Sequence, residues 1–129
     1  MKICHVINSL SGGGAETHLL DLVYAQKELG HTVNVIATGP DKKNMKSFDK
    51  EFTYASDDVL RLYFPRLLNL YSYVKFFKHL QKEQFDVVHT HQPRSDFMYF
   101  ILNFFTSFKP TWIVSIHGKY DTYLEGSLF

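Results

Sequence analysis

A short apolar segment, a cluster of glycines and a helical pattern follow one another directly in residues 2–30, KICHVINSLSGGGAETHLLDLVYAQKELG. Residues 2–7 are apolar and rich in β-branched side chains, which predicts a central parallel strand buried on both faces. From Ala15 onward, apolar residues recur at helical spacing as far as Gly30, which is expected to end the helix. The segment therefore predicts a strand, a glycine loop and a helix in succession.

The glycine loop is a candidate anion site. Glycine lets a ligand approach the backbone closely, and the first amides of a helix have no partner within it. The helix dipole adds a partial positive charge at the same place. The loop of Gly12, Gly13 and Gly14 is therefore predicted to bind a phosphate or carboxylate group. The alternative is that these glycines only form a tight turn.

Two well-known glycine-loop chemistries do not match the spacing. No Gly-Lys-Ser/Thr follows, so the loop is not a Walker P-loop. A dinucleotide fingerprint would need a third glycine where Thr17 stands, and an acidic residue after the second strand, which ends at Ala37 and Thr38. NAD binding is therefore not expected.

Composition limits the remaining possibilities. The 129 residues predict a single domain, residues 1–129, and the net charge of +1 argues against a general nucleic-acid-binding protein. Cys4 is the only cysteine, so it cannot form an internal disulfide and is expected to be a small core residue. Without a signal-peptide pattern or a run of about 20 apolar residues, the expected location is the cytoplasm.

Strand and helix patterns alternate along the rest of the chain, which predicts an α/β, Rossmann-like, doubly wound parallel sheet of order 3-2-1-4-5. This order would bring the glycine loop, residues 89–94 and His117 to the same carboxyl edge of the sheet, where ligands bind in such folds. The expected elements are a strand at 31–37, a mobile loop at 41–51, a short edge strand at 52–55, a helix at 65–82, a strand at 86–91, a helix at 97–108 capped by Ser95 or Asp96, and a strand at 111–117 ending at Gly118.

His89 and His91 are two residues apart on a predicted strand, so their side chains should point to the same side of the sheet. A His-x-His pair can bind zinc, but a metal needs at least a third ligand, and no cysteine or acidic cluster lies nearby in the sequence. We therefore expect no metal. His117, at the end of a strand beside a glycine, is the stronger functional candidate.

Residues 59–82 combine basic and aromatic side chains and contain no acidic residue. Within them, a helical stripe formed by Leu67, Leu70, Tyr71, Val74 and Phe77 is expected opposite a polar stripe that includes Lys75 and Lys82. Such a helix can lie on an anionic membrane surface. The alternative is that the apolar stripe packs on the sheet and the lysines face solvent.

Three motifs in this order resemble the N-terminal domain of family 4 glycosyltransferases. They are residues 1–39, which end in ATG, then DVVHTH at 86–91, and IVSIHG at 113–118. These are retaining enzymes of the GT-B fold, which transfer a sugar from a nucleotide-sugar. The resemblance covers nearly the whole chain and is weakest between residues 41 and 65.

This resemblance implies roles for particular residues. Gly13 and Gly14 would lie against the donor diphosphate, and His117 would be the catalytic residue that approaches the transferred sugar. His91 and Arg94 would line the side that receives the sugar or lipid acceptor. The resemblance implies no metal and no cofactor other than the nucleotide-sugar substrate.

Family members continue into a second domain that grips the nucleotide, and its motifs do not occur in these residues. The chain is therefore expected to be an incomplete GT-B N-terminal domain that is inactive alone, and to self-associate or bind a chain that supplies the missing half. Two other functions stay open. One is a non-catalytic anion- or nucleotide-binding module, and the other is a membrane-surface adaptor at the inner face of the membrane.

Overall fold

The computed structural model describes residues 1–41, 43–62, 64, 69–107 and 109–116. Strands and helices alternate throughout this part of the chain. The strands are β1 (Lys2–Ile7), β2 (Thr32–Ala37), β3 (Asp58–Arg61), β4 (Val87–His91) and β5 (Thr111–Ser115), and the helices are α1 (Gly14–Glu28), α2 (Asp49–Ala55), α3 (Leu70–Glu83) and α4 (Pro93–Phe105).

The five strands form one parallel sheet of order β3-β2-β1-β4-β5. The predicted α/β, Rossmann-like fold and its strand order are therefore confirmed. In the centre of the sheet, Ile3 of β1 pairs with Val33 of β2 on one side and with Val87 of β4 on the other. Every strand thus ends at the same edge, where the glycine loop leaves β1.

Each face of the sheet has its own apolar core. On the face covered by α1 and α2, the core includes Leu19, Val23, Val35 and Phe52. The core under α3 and α4 is built from residues such as Cys4, Val6, Phe76 and Met98. Cys4 is fully buried, as expected, and burial raises the pKa of its thiol above the ordinary value.

The prediction for residues 49–55 is wrong. These residues were expected to be the end of a loop and an edge strand at 52–55, but they form α2, and the edge strand is β3. Phe52 and Ala55 are both buried because three residues is close to one helical turn. Asp49 and Glu51 lie in the first turn of α2, where the helix dipole favours negative charge.

The predicted helix at 65–82 exists as α3, but its orientation is the reverse of the expected one. Tyr73, Phe76 and Leu80 are buried, whereas Leu70 and Tyr71 are 77% and 69% exposed. The lysines explain this outcome, because Lys75, Lys78 and Lys82 follow Tyr71 by four, seven and eleven residues and so share its side. That side must face solvent. Residues 65–68 lie outside the described part.

Helix α4 begins four residues earlier than expected, and its N-cap is Gln92 rather than Ser95 or Asp96. Pro93 follows Gln92 at the first helical position, where its fixed φ and its missing N–H cost nothing. The segment is apolar almost all round, which is typical of a core helix, but Phe104 and Phe105 are largely exposed.

Candidate functional site

The glycine loop forms the N-terminus of α1. Gly13 is the N-cap residue with φ 170° and no side-chain cap, and Gly14 is the first helical residue. Both glycines are exposed, and a Cβ added at Gly14 would meet no atom within 4 Å. The backbone around the first N–H groups of α1 is therefore exposed, as an anion site requires.

Gly12 has a different environment. Its N–H donates to the backbone oxygen of Lys46 at 2.5 Å, and an added Cβ would lie 3.2 Å from that same oxygen. Gly12 therefore allows close packing against the segment before α2, while the space around Gly14 remains open.

Sequence reasoning missed Glu16, which lies in the first turn of α1 and is 3% exposed. One of its carboxylate oxygens, Oε2, lies 2.6 Å from the position that a Cβ on Gly13 would occupy. The helix dipole favours a carboxylate here. The signal was present, because glutamate three residues after an N-cap is the capping-box spacing. An anion at the loop would have this negative charge as its neighbour.

The loops that follow β1, β2 and β4 are joined through Asn8. Its N–H donates to Gln92 Oε1 at 3.1 Å, its side-chain oxygen accepts from Ser95 at 3.0 Å, and its carbonyl accepts from Gly39 N–H at 2.7 Å. The carboxyl ends of the three strands therefore meet, as the predicted strand order requires.

Asp41 braces the glycine loop from the side. It accepts from the backbone N–H of Leu10 at 3.1 Å and from Ser47 at 2.6 Å, and Arg61 donates to both of its carboxylate oxygens. Burial alone would raise the pKa of Asp41, but these hydrogen bonds outweigh it and hold the pKa below its ordinary value.

His89 and His91 point to the same side of β4, as predicted, and their rings stack with centroids 4.1 Å apart. A third histidine, His5 of β1, pairs in register with His89, and its Nδ1 lies 3.0 Å from His91 Nε2. A third imidazole therefore lies beside the pair, which the sequence did not indicate. Among the described residues, these three rings form a group that could hold a metal ion.

The environment of these histidines is largely apolar. His5 and His91 are fully buried, and burial lowers the pKa of His5 to about 4. His5 Nε2 is hydrogen-bonded to Gln26 Oε1 at 2.7 Å, and His89 Nε2 to Ser115 Oγ at 2.5 Å. His5 lies against α1 through Gln26, and His91 is fully buried. The His91 side chain therefore does not open to the surface beside the glycine loop, contrary to the prediction.

The other predicted site residues are placed as follows. Arg94, in the first turn of α4, donates from Nη2 to the backbone oxygen of Phe64 at 2.6 Å. His117 lies outside the described residues. The structure thus brings Gly13, Gly14 and the end of β4 to one edge of the sheet, and the binding and catalytic roles of these residues stay predictions.

A second surface feature is an apolar groove of about 500 Å³ between α3 and α4. We call it the α3–α4 groove. Its lining includes Leu70, Val74, Phe77, Lys78, Ile101 and Phe105. The neighbouring Lys75 lies over the ring of Tyr71, 4.6 Å from its centroid. In the part of the chain described here, no helix is both long and apolar enough to cross a bilayer.

The parallel sheet and the glycine loop after its first strand define a Rossmann-like α/β domain. The family model for Glycosyltransferase Family 4 matches residues 12–128, so the chain belongs to glycosyltransferase family 4. A search of curated protein sequences finds no significant match.

The fold is also that of a glycosyltransferase from Rickettsia africae ESF-5 whose crystal structure is known. The two proteins align with a TM-score of 0.62 and 19% identity over 98% of this chain and 34% of the other. At this identity the likeness shows the fold alone. The present chain spans about a third of the length of that glycosyltransferase.

Proposed function

We propose that this chain is the acceptor-side domain of a retaining glycosyltransferase that uses a nucleotide-sugar donor. The observation that carries the proposal is the exposed N-terminus of α1, where Gly13 and Gly14 leave the first helical amides uncovered. Anionic diphosphates bind at such helix ends, and the family membership supplies the sugar-transfer chemistry.

In the proposed reaction, an acceptor hydroxyl oxygen bonds to the anomeric carbon on the face from which the diphosphate leaves. The bond from that carbon to the diphosphate oxygen breaks, and the hydroxyl proton passes to the departing diphosphate oxygen. The amides at the start of α1 would stabilise the charge that develops on the leaving diphosphate. His117 is proposed to approach the transferred sugar, with Arg94 on the acceptor side. His91 is fully buried, so it is left out of the proposed acceptor contacts. No metal is proposed for this step.

We propose that the chain alone does not transfer sugar, because one helix end and a few imidazoles cannot hold a diphosphate from both sides. The test combines the full chain with the nucleotide-binding domain of another family 4 enzyme and measures release of nucleoside diphosphate from a panel of nucleotide-sugars. Release that requires both parts and is lost in Gly14→Val supports the proposal, with Lys50→Ala as the surface control.

Release by the homogeneous chain alone would contradict the requirement for a second domain. Release that Gly14→Val leaves unchanged would contradict the role of the loop. Binding of nucleotide by the chain with no transfer in any combination would instead favour the alternative, a non-catalytic anion- or nucleotide-binding module.

The α3–α4 groove favours a second function, contact with the inner face of an anionic membrane. Leu70, Tyr71 and Val74 are exposed rather than packed on the sheet, and Lys75 and Lys78 lie beside them. Apolar side chains can enter the interface while lysines meet anionic head groups, each worth about 1 kcal/mol. We therefore propose that the protein is cytoplasmic and contacts the membrane surface through residues 59–82. The same contact would be needed if the protein were a membrane-surface adaptor rather than an enzyme.

Vesicle cosedimentation tests this contact. The full chain should bind vesicles that contain phosphatidylserine more than neutral ones, and the double variant Lys75→Glu and Lys78→Glu should abolish the difference. The matched control is the double variant Lys43→Glu and Lys50→Glu. Lys43 lies in the loop after β2, and Lys50 lies in α2, which covers the face of the sheet opposite to α3. Equal binding to both vesicle types by the wild-type chain would rule out the contact.

Exposed apolar residues at the end of the sheet favour association with a further protein surface. Ile113 and Val114 of β5 are 44% and 43% exposed, and Ile116 beyond it is 65% exposed. Strand edges with exposed apolar side chains pair readily with other chains. We propose that the chain self-associates here or binds a separate partner chain through this edge of the sheet. A strictly monomeric chain in sedimentation velocity at high concentration would contradict the self-association.

A further inference from the structure

The histidine cluster of His5, His89 and His91 is not used by the proposed sugar transfer. One nitrogen from each ring can be chosen so that all three lie within 4.8 Å of one another. In a tetrahedral zinc site, ligand nitrogens at the usual bond length are separated by about 3.4 Å. Rotation of the rings by roughly 1 Å at their nitrogens would therefore bring the three into zinc geometry.

The hydrogen bonds around His5 fix which of its nitrogens has a lone pair. The Gln26 side-chain oxygen can only accept, so His5 Nε2 carries the proton in this 2.7 Å contact. The other nitrogen, Nδ1, is then unprotonated and faces His91 Nε2 at 3.0 Å. A metal ion placed between these two atoms would replace the hydrogen of His91, which would move to Nδ1 of the same ring.

Two of the three histidine rings are hydrogen-bonded to polar side chains outside the cluster. Gln26 orients His5, and Ser115 is hydrogen-bonded to His89 Nε2 at 2.5 Å. Protein zinc sites use such second hydrogen bonds to fix the tautomer and direction of their histidines.

An ion could reach the cluster from the side of β5. His89 is 9% exposed, and its partner in the sheet register, Ile113, is 44% exposed. In the described part of the chain, α1 covers His5 from the other side through Gln26. The fourth position of a tetrahedral ion would therefore face β5, where water can enter.

We propose that His5, His89 and His91 form a binding site for a divalent transition-metal ion, Zn²⁺ in the first instance, that links β1 to β4. Three imidazoles suit zinc, whereas Mg²⁺ and Ca²⁺ prefer oxygen ligands. The alternative is that the three histidines form only a hydrogen-bonded cluster within the sheet.

The test uses the full chain with any affinity tag removed and with bound metal stripped by a chelator. Zinc is titrated in competition with a chromogenic chelator, and the expected result is one Zn²⁺ per chain, with no binding of Mg²⁺. Substitution with Co²⁺ should give the visible absorption bands of a tetrahedral site. The melting temperature should rise with added zinc, because the ion binds the folded state.

Two variants assign the site. His89→Gln should lower zinc affinity by at least about 100-fold, and Gln26→Leu, which removes only the support of His5, by about 10-fold. His18→Gln, on the exposed surface of α1, is the control and should bind zinc like the wild type. Circular dichroism verifies that each variant is folded.

Either of two results would overturn the site. The first is no stoichiometric zinc binding by the wild-type chain, which leaves only the hydrogen-bonded cluster. The second is zinc binding that a folded Gln26→Leu or His89→Gln variant retains in full. Since the wild-type measurement alone can exclude the site, a variant that fails to fold does not protect the proposal.

Discussion

The guanidinium of Arg94 donates a hydrogen bond to the backbone oxygen of Phe64 at 2.6 Å, which ties the first turn of α4 to the segment after β3. Phe64 is 1% exposed, so its carbonyl has little access to water. Arg94, which the family resemblance places on the acceptor side, therefore also has a structural partner.

Replacing Arg94 by methionine should lower the free energy of unfolding by about 1.5–3 kcal/mol, because the Phe64 carbonyl loses a charged donor. Urea unfolding measures this, with Lys50→Met as the control that should change stability by less than about 0.5 kcal/mol. Unchanged stability together with weakened acceptor binding would mean that Arg94 acts on the acceptor alone.

Gly14→Val should leave the fold intact, because an added Cβ has open space and the residue is already helical. The expected change in the free energy of unfolding is below about 1 kcal/mol. Binding of nucleoside diphosphate should weaken strongly, and less so in Gly14→Ala, since the bulk of the side chain decides how closely an anion approaches. If calorimetry finds equal affinities for all three proteins, the loop is only a turn.

Removing the negative charge of Glu16 should strengthen anion binding. Glu16→Gln keeps the shape of the side chain, and loss of one like charge near the diphosphate should raise its affinity about three- to fivefold at low salt. The helix should lose about 0.5–1 kcal/mol, because the carboxylate no longer interacts with the dipole. Asp21→Asn is the control farther along α1. A lower affinity in Glu16→Gln would show that the carboxylate assists the ligand.

The stability of the chain should fall in acid partly through Asp41. The pKa of Asp41 is held below its ordinary value of 3.8, so its contribution is complete above that pH and is lost as the pH falls through the folded-state pKa. Asp41→Asn should lower the free energy of unfolding by about 1 kcal/mol at pH 7. Below about pH 4, the free energy of unfolding should fall less in this variant than in the wild-type chain. Urea unfolding at several pH values measures both. Parallel curves for the two proteins would contradict the assignment.

The sequence predicted the sheet and the glycine loop well, for a physical reason. Fully buried parallel strands are continuous apolar runs, and Gly30, which has φ 89°, ends α1 where expected. The order of strands followed from right-handed crossovers.

Other features depended on long-range packing that a local pattern does not contain. Residues 52–55 are too few to separate a helical from a strand period. His5 joins the histidine pair only because β1 and β4 pair in one particular register. The orientation of α3 was available in the sequence, because Lys75 and Lys82 share a helical side with Tyr71, and the prediction wrongly placed them on opposite sides.

The most direct test of the central claim, that Gly13 and Gly14 bind the donor diphosphate, is an NMR titration of the ¹⁵N-labelled full chain with a nucleoside diphosphate. The largest saturable chemical-shift changes are expected at the amides of residues 13–16, and Gly14→Val should abolish them. Shifts centred elsewhere, or none at millimolar ligand, would contradict it.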